Sequence, residues 1–197
     1  ATMAFDIGDT DKLKLLVDDC RRSGVQLRPP CINRSAADFA LEDGAAGPAV
    51  RYALGALKGV GAAAMADLVR ERQRAGAFAS LEDFAGRIDP HGLNKRQVEA
   101  LAGAGAFAGL EPDRARVHAG ADVLLATAQA TARERAEGQG GLFGGPEGGT
   151  ATLSLRTVPS WRLGERLARE REAFGFYFSG NPVEAQAAVL DAYGVVP

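Results

Sequence analysis

The stretch from Lys58 to Leu68 reads KGVGAAAMADL, and its pattern returns 33 positions later as HGLNKRQVEAL, from His91 to Leu101. Each copy has a basic or imidazole side chain, a glycine, an aliphatic residue, and then Gly or Asn before a run with apolar residues at helical spacing. Gly and Asn most readily adopt a positive φ angle in a tight turn. We therefore predict two tight helical hairpins, with positive φ at Gly61 and Asn94 and with Val60 and Leu93 turned inward.

A hairpin of this kind presents backbone N–H groups at the start of its second helix. Together with the positive end of the helix dipole, these groups can bind a phosphate without any side chain. The missing Cβ atoms of Gly59 and Gly61 allow a nucleic-acid backbone to come close. The predicted DNA-binding residues are Lys58, Gly59, Val60, Gly61, Gly92, Asn94, Lys95 and Arg96.

The charge balance of this region limits the contact. Eight basic and six acidic residues lie between Arg51 and Ala100. We therefore expect weak binding to duplex DNA through phosphates, without sequence preference. The alternative is that the hairpins only pack helices together, and this alternative is stronger for the second copy because Pro90 and Asn94 depart from the pattern.

The remaining composition excludes several classes of protein. The 197 residues carry a net charge of -2 and 46% hydrophobic residues, which is typical of a globular protein without a uniformly basic surface. No segment has the pattern of a membrane span or signal peptide, so the expected compartment is the cytoplasm and no membrane partner is expected. Cys20 and Cys31 lack the spacing of a zinc or redox pair, so we expect reduced structural thiols and no metal site.

The predicted fold class is mainly α with a small β element. Helical spacing and turn residues define the predicted elements in chain order. They are a helix over 9–24, strands over 25–28, 38–42 and 49–53, several short helices over 54–107, one long helix over 114–137, a flexible Gly-rich linker from 138, and a helix over 162–174.

Five phrases resemble, in order and spacing, the alpha subunits of bacterial DNA polymerase III. They are Ile32–Ser35, Tyr52–Gly61, Leu93–Arg96, Ala104–Phe107 and Gly175–Pro182. The resemblance implies that the two hairpins form a tandem helix-hairpin-helix module within an internal fragment of a longer protein. It implies the following divisions: the end of a fingers region over 1–50, the tandem module over 51–110, the long helix over 111–137, a linker over 138–160, and a helical segment over 161–197 that leads to an OB-fold beyond this chain.

The same resemblance implies a parent enzyme, a DNA-directed DNA polymerase that performs Mg²⁺-dependent nucleotidyl transfer. This chain has no paired carboxylates in a strand context, and neither His91 nor His118 lies in a nucleophile motif. We therefore expect the fragment alone to have no catalytic residues, no cofactor and no activity. Its expected partners are duplex DNA and the other subunits of the polymerase holoenzyme.

A short apolar motif lies inside the Gly-rich linker. An exposed Leu142-Phe143 pair is costly in such a segment unless a partner covers it. With Gln139, the pair resembles the internal sliding-clamp-binding peptide of the same polymerase family, which implies that Gln139 is a polar anchor and that Leu142 and Phe143 fill a pocket on the clamp. The alternative is that the pair folds back onto its own domain.

Three functions remain open on the sequence alone. The first is a non-catalytic segment of a replicative polymerase that holds duplex DNA and tethers the enzyme to the sliding clamp during DNA replication. The second is a stand-alone helix-hairpin-helix DNA-binding protein. The third is a structural scaffold between polymerase domains.

Overall fold

A computed structural model describes residues 2–44, 47–137 and 153–180 of the chain. Helices predominate in this part of the chain, and three short strands form its sheet, which confirms the predicted fold class. The elements are α1 (Thr2–Phe5), α2 (Thr10–Arg22), β1 (Gln26–Arg28), β2 (Ala40–Gly44), β3 (Gly47–Arg51), α3 (Ala62–Ala75), α4 (Leu81–Arg87), α5 (Lys95–Gly103), α6 (Arg114–Ala119), α7 (Ala121–Ala136) and α8 (Leu163–Phe174).

Helix α2 confirms the first predicted helix and its start. The Asp9 side chain accepts a hydrogen bond from the backbone N–H of Lys12, a cap of a kind that contributes about 1 kcal/mol. Leu13 and Val17, one turn apart, are buried. The chain turns away at Gly24, whose φ of 71° few other residues tolerate.

The three-stranded sheet has β3 at its centre, parallel to β1 and antiparallel to β2. The strands predicted over 38–42 and 49–53 are each displaced by two residues towards one another along the chain. The ladder continues to Gly44 and Gly47, which pair so closely that a Cβ on Gly44 would lie 2.8 Å from the Gly47 carbonyl oxygen. After β3 the chain leaves the sheet, and Tyr52 is fully buried in the core.

The loop after β1 is fastened to the helices that follow the sheet. The Asn33 amide donates to the Phe78 carbonyl and accepts from the Phe78 N–H, each at 2.8 Å. The Ser35 hydroxyl donates to the Tyr52 carbonyl at 2.8 Å. Arg72 of α3 donates to the carbonyls of both Ile32 and Ser35. Asn33 and Ser35, together with Arg72, therefore hold this loop against the rest of the fold.

The prediction of a single long helix over 114–137 is wrong, because this region forms two helices. Helix α6 ends at Ala119 and α7 begins at Ala121. Gly120 is the break. Helix α6 packs against α5, whereas α7 packs mainly against α4, so the axis changes direction between them. Leu155 occupies the space at the break, where a Cβ on Gly120 would lie 2.5 Å from its Cδ2 atom. Tertiary packing overrides helix propensity here.

The predicted flexible linker over 138–160 is too long at its C-terminal end. Leu155 is buried against the core, and Leu153 packs beside it. The Ser160 hydroxyl donates to a carboxylate oxygen of Asp113 at 2.6 Å. Residues 153–160 thus form a packed segment without regular secondary structure.

Helix α8 confirms the helix predicted over 162–174 and is bound to the rest of the fold by a buried carboxylate. Glu170 is 1% exposed. One of its oxygens lies 2.8 Å from a guanidinium nitrogen of Arg114, and the other accepts hydrogen bonds from the Ser179 N–H and hydroxyl. Helix α8 and the turn after it are therefore fixed against the start of α6.

An aromatic cluster completes the contact between α8 and the centre of the chain. The Tyr52 ring makes edge-to-face contacts with Phe39, Phe174 and Phe178 at centroid distances of 4.8–5.5 Å. These rings belong to one continuous hydrophobic core that extends from α2 through the hairpin helices to α8. Both cysteines are free and half-buried, as predicted.

Candidate nucleic-acid interface

The first turn has the backbone geometry that its sequence predicts, but the helix expected before it is absent, because residues 54–58 form turns and no helix lies between β3 and α3. Gly59 and Gly61 have φ angles of 73° and 82°, and Val60 between them is fully buried. Helix α3 begins directly after Gly61, which has no side chain to cap it. The Lys58 N–H donates to the carbonyl of Ala173 at 2.8 Å, so the end of α8 holds the turn from behind.

The second hairpin reaches the same shape by other means. Helix α5 begins at Lys95 and α3 begins at Ala62, so the offset of the sequence repeat is kept in the structure. Leu93 is buried, as predicted. The predicted positive φ at Asn94 is wrong, since its φ is -113°.

Asn94 is instead the N-cap of α5. Its side chain accepts a hydrogen bond from the Gln97 N–H, and the Gln97 side chain accepts one from the Asn94 N–H, which together form a capping box. A side-chain cap needs an extended backbone at the capping residue, which explains why Asn94 does not adopt the conformation of Gly61. Two backbone donors at the start of α5 are thereby satisfied within the chain.

One side chain joins the two hairpins. The amide nitrogen of Gln97 donates to the carbonyl of Val60 in the first turn. A Cβ on Gly61 would lie 3.6 Å from the same nitrogen. The turns therefore lie side by side and are held in register by Gln97.

The hairpins border a common cavity of about 730 Å³. Four of the predicted DNA-binding residues line it: Lys58 and Gly59 from the first hairpin, and Asn94 and Arg96 from the second. Gly59 has open space around it, since a Cβ there would meet no atom within 4 Å. The structure thus brings together residues that lie far apart in the sequence.

Lys95 is placed differently from the other predicted residues. Its ammonium lies 2.5 Å from a carboxylate oxygen of Asp122 on α7 and 4.0 Å from one of Glu99. The hydrogen bond to Asp122 raises the pKa of Lys95. Lys95 is exposed but does not line the cavity, so its charge is directed towards α7.

The cavity also has walls that the sequence did not predict. His118 of α6 and Arg169 and Glu172 of α8 line it together with Glu99 of α5. No local motif marks these residues, because α6 and α8 approach the hairpins only through tertiary packing. The clamp-binding residues predicted in the linker, Gln139, Leu142 and Phe143, lie outside the described residues.

Two features are absent from the described residues. Among them, no helix is long and apolar enough to cross a membrane. They also contain no group of three or more His, Cys, Asp or Glu side chains arranged to hold a metal ion.

Part of this chain resembles a known family of motifs. Residues 24–117 match the helix-hairpin-helix motif family, in agreement with the paired hairpins and their shared offset. The matched region includes both turns, all three helices that flank them and the sheet.

More specifically, the chain is homologous to a segment of DNA polymerase III subunit alpha. It is 44% identical over 190 residues to that subunit from Caulobacter vibrioides, which covers 96% of this chain and 16% of the relative. The subunits from Neisseria meningitidis serogroup A and Mycobacterium leprae are each 40% identical, over 92% and 93% of this chain and 16% of each relative. The chain thus spans about a sixth of the length of these relatives.

Proposed function

We propose that this chain is the duplex-binding segment of a replicative DNA polymerase, and that it holds the sugar-phosphate backbone of DNA without sequence preference during DNA replication. The observation that carries the proposal is the convergence of both hairpin turns on one cavity, with Lys58 and Arg96 at its wall. The homology to DNA polymerase III subunit alpha supports the polymerase context.

The start of α3 is suited to a phosphate. The first backbone N–H groups of a helix have no acceptor within that helix. At α3 the capping residue is Gly61, so no side chain occupies them, and Gly61, Ala62 and Ala63 are exposed. An anion there gains hydrogen bonds and the favourable end of the helix dipole.

The second hairpin contributes mainly charge. Its capping box already satisfies the N–H groups of Asn94 and Gln97, which leaves fewer backbone donors for a phosphate. The exposed Arg96 side chain remains available, and within the described residues no carboxylate lies within ion-pair distance of it. We therefore assign backbone recognition to the first hairpin and electrostatic support to the second.

The further parts of the proposal concern the polymerase as a whole. The parent is a DNA-directed DNA polymerase of the cytoplasm that uses Mg²⁺, and this segment by itself is inactive. Gln139, Leu142 and Phe143 bind the sliding clamp and tether the polymerase to it, while the other holoenzyme subunits contact the parent. These parts follow from the resemblance of the linker motif and from the relatives' shared name.

A salt titration tests the DNA-binding function. Fluorescence anisotropy of the full chain with two labelled duplexes of unrelated sequence should give equal, weak affinities that fall as salt rises. Lys58→Gln with Arg96→Gln should lower the slope of log K against log salt by about 2, because each lost phosphate contact removes about 1.

The matched control is Arg133→Gln with Arg135→Gln, which removes the same charge from the exposed end of α7, away from the cavity. This control should leave the slope nearly unchanged. Equal effects of the two double variants, or no binding at all, would favour the structural scaffold instead.

A further inference from the structure

The cavity beside the hairpins is lined by residues of other elements as well as by the hairpins. Helix α6 supplies His118, and α8 supplies Arg169 and Glu172, so with the two hairpins four separate parts of the chain form its wall. The walls carry cationic and polar side chains rather than a continuous apolar surface. A cavity of this composition suits a small anionic group better than an apolar ligand.

Arg169 is held loosely at this wall. A guanidinium nitrogen lies 2.9 Å from a carboxylate oxygen of Glu172, and the guanidinium carbon lies 5.8 Å from the ring centroid of Trp161. The side chains of Arg169 and Glu172 are 38% and 67% exposed, and ion pairs with such exposure contribute little to stability. A phosphate can therefore displace Glu172 as the partner of Arg169.

His118 also contacts Trp161. The two rings meet edge to face at a centroid distance of 5.2 Å. The charged groups that face His118 are Glu99 and Lys95 of α5 and Arg169 and Glu172 of α8. Burial is the largest effect, and it holds the pKa of His118 below its ordinary value. The imidazole is therefore mainly neutral at pH 7 and can gain a proton when an anion binds beside it.

The charges around the cavity favour an anion. Three basic side chains, Lys58, Arg96 and Arg169, line it against two acidic ones, Glu99 and Glu172. Among the described residues, Lys58 and Arg96 have no carboxylate within ion-pair distance. The uncompensated charge at the wall is therefore positive.

We propose that this cavity is a phosphate subsite of the DNA interface, in which Arg169 and His118 bind a backbone phosphate of the duplex held by the hairpins. The inference rests on the proposed duplex binding and adds a contact from α6 and α8 to it. On binding, Arg169 exchanges Glu172 for the phosphate, and His118 donates a hydrogen bond and takes up a proton from solvent.

Trp161 provides a probe of this subsite, since it is the only tryptophan of the chain and contacts both proposed ligands. Titration of the full chain with unlabelled duplex should change the Trp161 emission. The dissociation constant from this titration should equal the one measured by anisotropy with a labelled duplex. Binding seen by anisotropy with no change in Trp161 emission would overturn the subsite and leave duplex binding intact. Absence of binding in both measurements would overturn both.

Charge variants of α8 test the role of Arg169. Arg169→Gln should weaken duplex binding about five-fold and lower the salt slope by about 1, whereas Arg169→Lys should retain most of the affinity. Glu172→Gln should strengthen binding about three-fold, since it releases Arg169. The control Arg171→Gln removes the same charge from a residue of α8 that does not line the cavity. Equal losses for Arg169→Gln and Arg171→Gln, with melting temperatures unchanged, would overturn the assignment.

The pH dependence of binding tests the role of His118. A phosphate raises the pKa of the bound imidazole above that of the free one, so affinity should rise as pH falls from about 8 through the range in which the bound imidazole takes up its proton. His118→Gln should remove this dependence, and His91→Gln, which replaces the other histidine, should keep it. The opposite result would assign the proton to His91 and overturn the role of His118.

Discussion

The side-chain amide nitrogen of Gln97 donates a hydrogen bond to the carbonyl oxygen of Val60, although 37 positions separate the two residues. The oxygen of the same amide accepts a hydrogen bond from the Asn94 N–H at 2.7 Å. One residue thus caps the helix of the second hairpin and fixes the turn of the first.

Substitution of Gln97 should therefore reduce stability through two separable contacts. Gln97→Ala removes both and should lower the free energy of unfolding by about 2 kcal/mol. Gln97→Glu keeps an acceptor for the Asn94 N–H but has no donor for the Val60 carbonyl, and should lose about half as much. Urea denaturation measures both changes. A Glu variant as stable as the original chain would mean that the bond to Val60 contributes nothing.

Gly61→Val should impair the first hairpin more than Asn94→Val impairs DNA binding at the second. A β-branched residue at a φ of 82° costs about 1–3 kcal/mol, and its side chain would crowd the Gln97 amide and the phosphate approach. Asn94→Val loses only a cap, at about 1 kcal/mol, because its backbone is already extended. Melting temperature and anisotropy with duplex DNA separate the two effects. A larger loss of DNA affinity for Asn94→Val would reverse our assignment of the hairpins.

Removal of Glu170 should destabilise the contact between α8 and α6. Glu170→Ala leaves the Ser179 N–H without its acceptor and the half-buried Arg114 guanidinium with the Gly103 carbonyl but no carboxylate, and should cost about 3 kcal/mol. Glu170→Gln keeps one acceptor and should cost less. The control Glu165→Gln changes an exposed acid of the same helix and should have almost no effect. Equal melting temperatures for the Glu170→Gln and Glu165→Gln variants in thermal unfolding would contradict the role of the buried carboxylate.

The linker motif should bind the clamp independently of the fold. Leu142→Ala with Phe143→Ala should abolish clamp binding measured by surface plasmon resonance, while melting temperature and duplex affinity stay unchanged. The isolated motif is expected to bind in the micromolar range, about -8 kcal/mol, and to gain roughly 10² when DNA also threads the clamp.

Pro146→Ala with Glu147→Ala is the control for that experiment, since it alters the same linker outside the motif. It should leave clamp binding intact. Clamp binding retained by the Leu142 and Phe143 variant would exclude the motif, and a large fall in its melting temperature would show that the pair packs in the core.

Much of the fold could be predicted because its signals are local. The Asp9 cap, the alternation before Pro29 and the repeated hairpin phrase each depend on residues a few positions apart. The break at Gly120 could not be predicted in this way, since it depends on Leu155, which is distant in the sequence. The bounds of β2 and β3 differ from the prediction for a related reason. Glycine is typical of turns, but Gly44 and Gly47 pair with each other and extend the ladder.

The site was predictable where the backbone alone determines it and not where side chains from other elements complete it. Positive φ at Gly61 follows from the residue type. Asn94 can adopt either a positive φ or the extended conformation of an N-cap, and it adopts the N-cap because the Gln97 side chain completes the capping box. Lys95 was expected to face DNA, but Asp122 of α7 attracts it. His118 and Arg169 carry no sequence signal, because only the packing of α6 and α8 brings them to the cavity.

The hydrogen bond from the Lys58 N–H to the Ala173 carbonyl has a consequence for biosynthesis. A ribosome makes Lys58 long before Ala173, and the entropy of closing so long a loop opposes the contact until α8 has emerged. The first turn therefore acquires its native support late, after the second hairpin has formed behind it. In the growing chain, the proposed DNA interface is therefore completed only after α8 has been made.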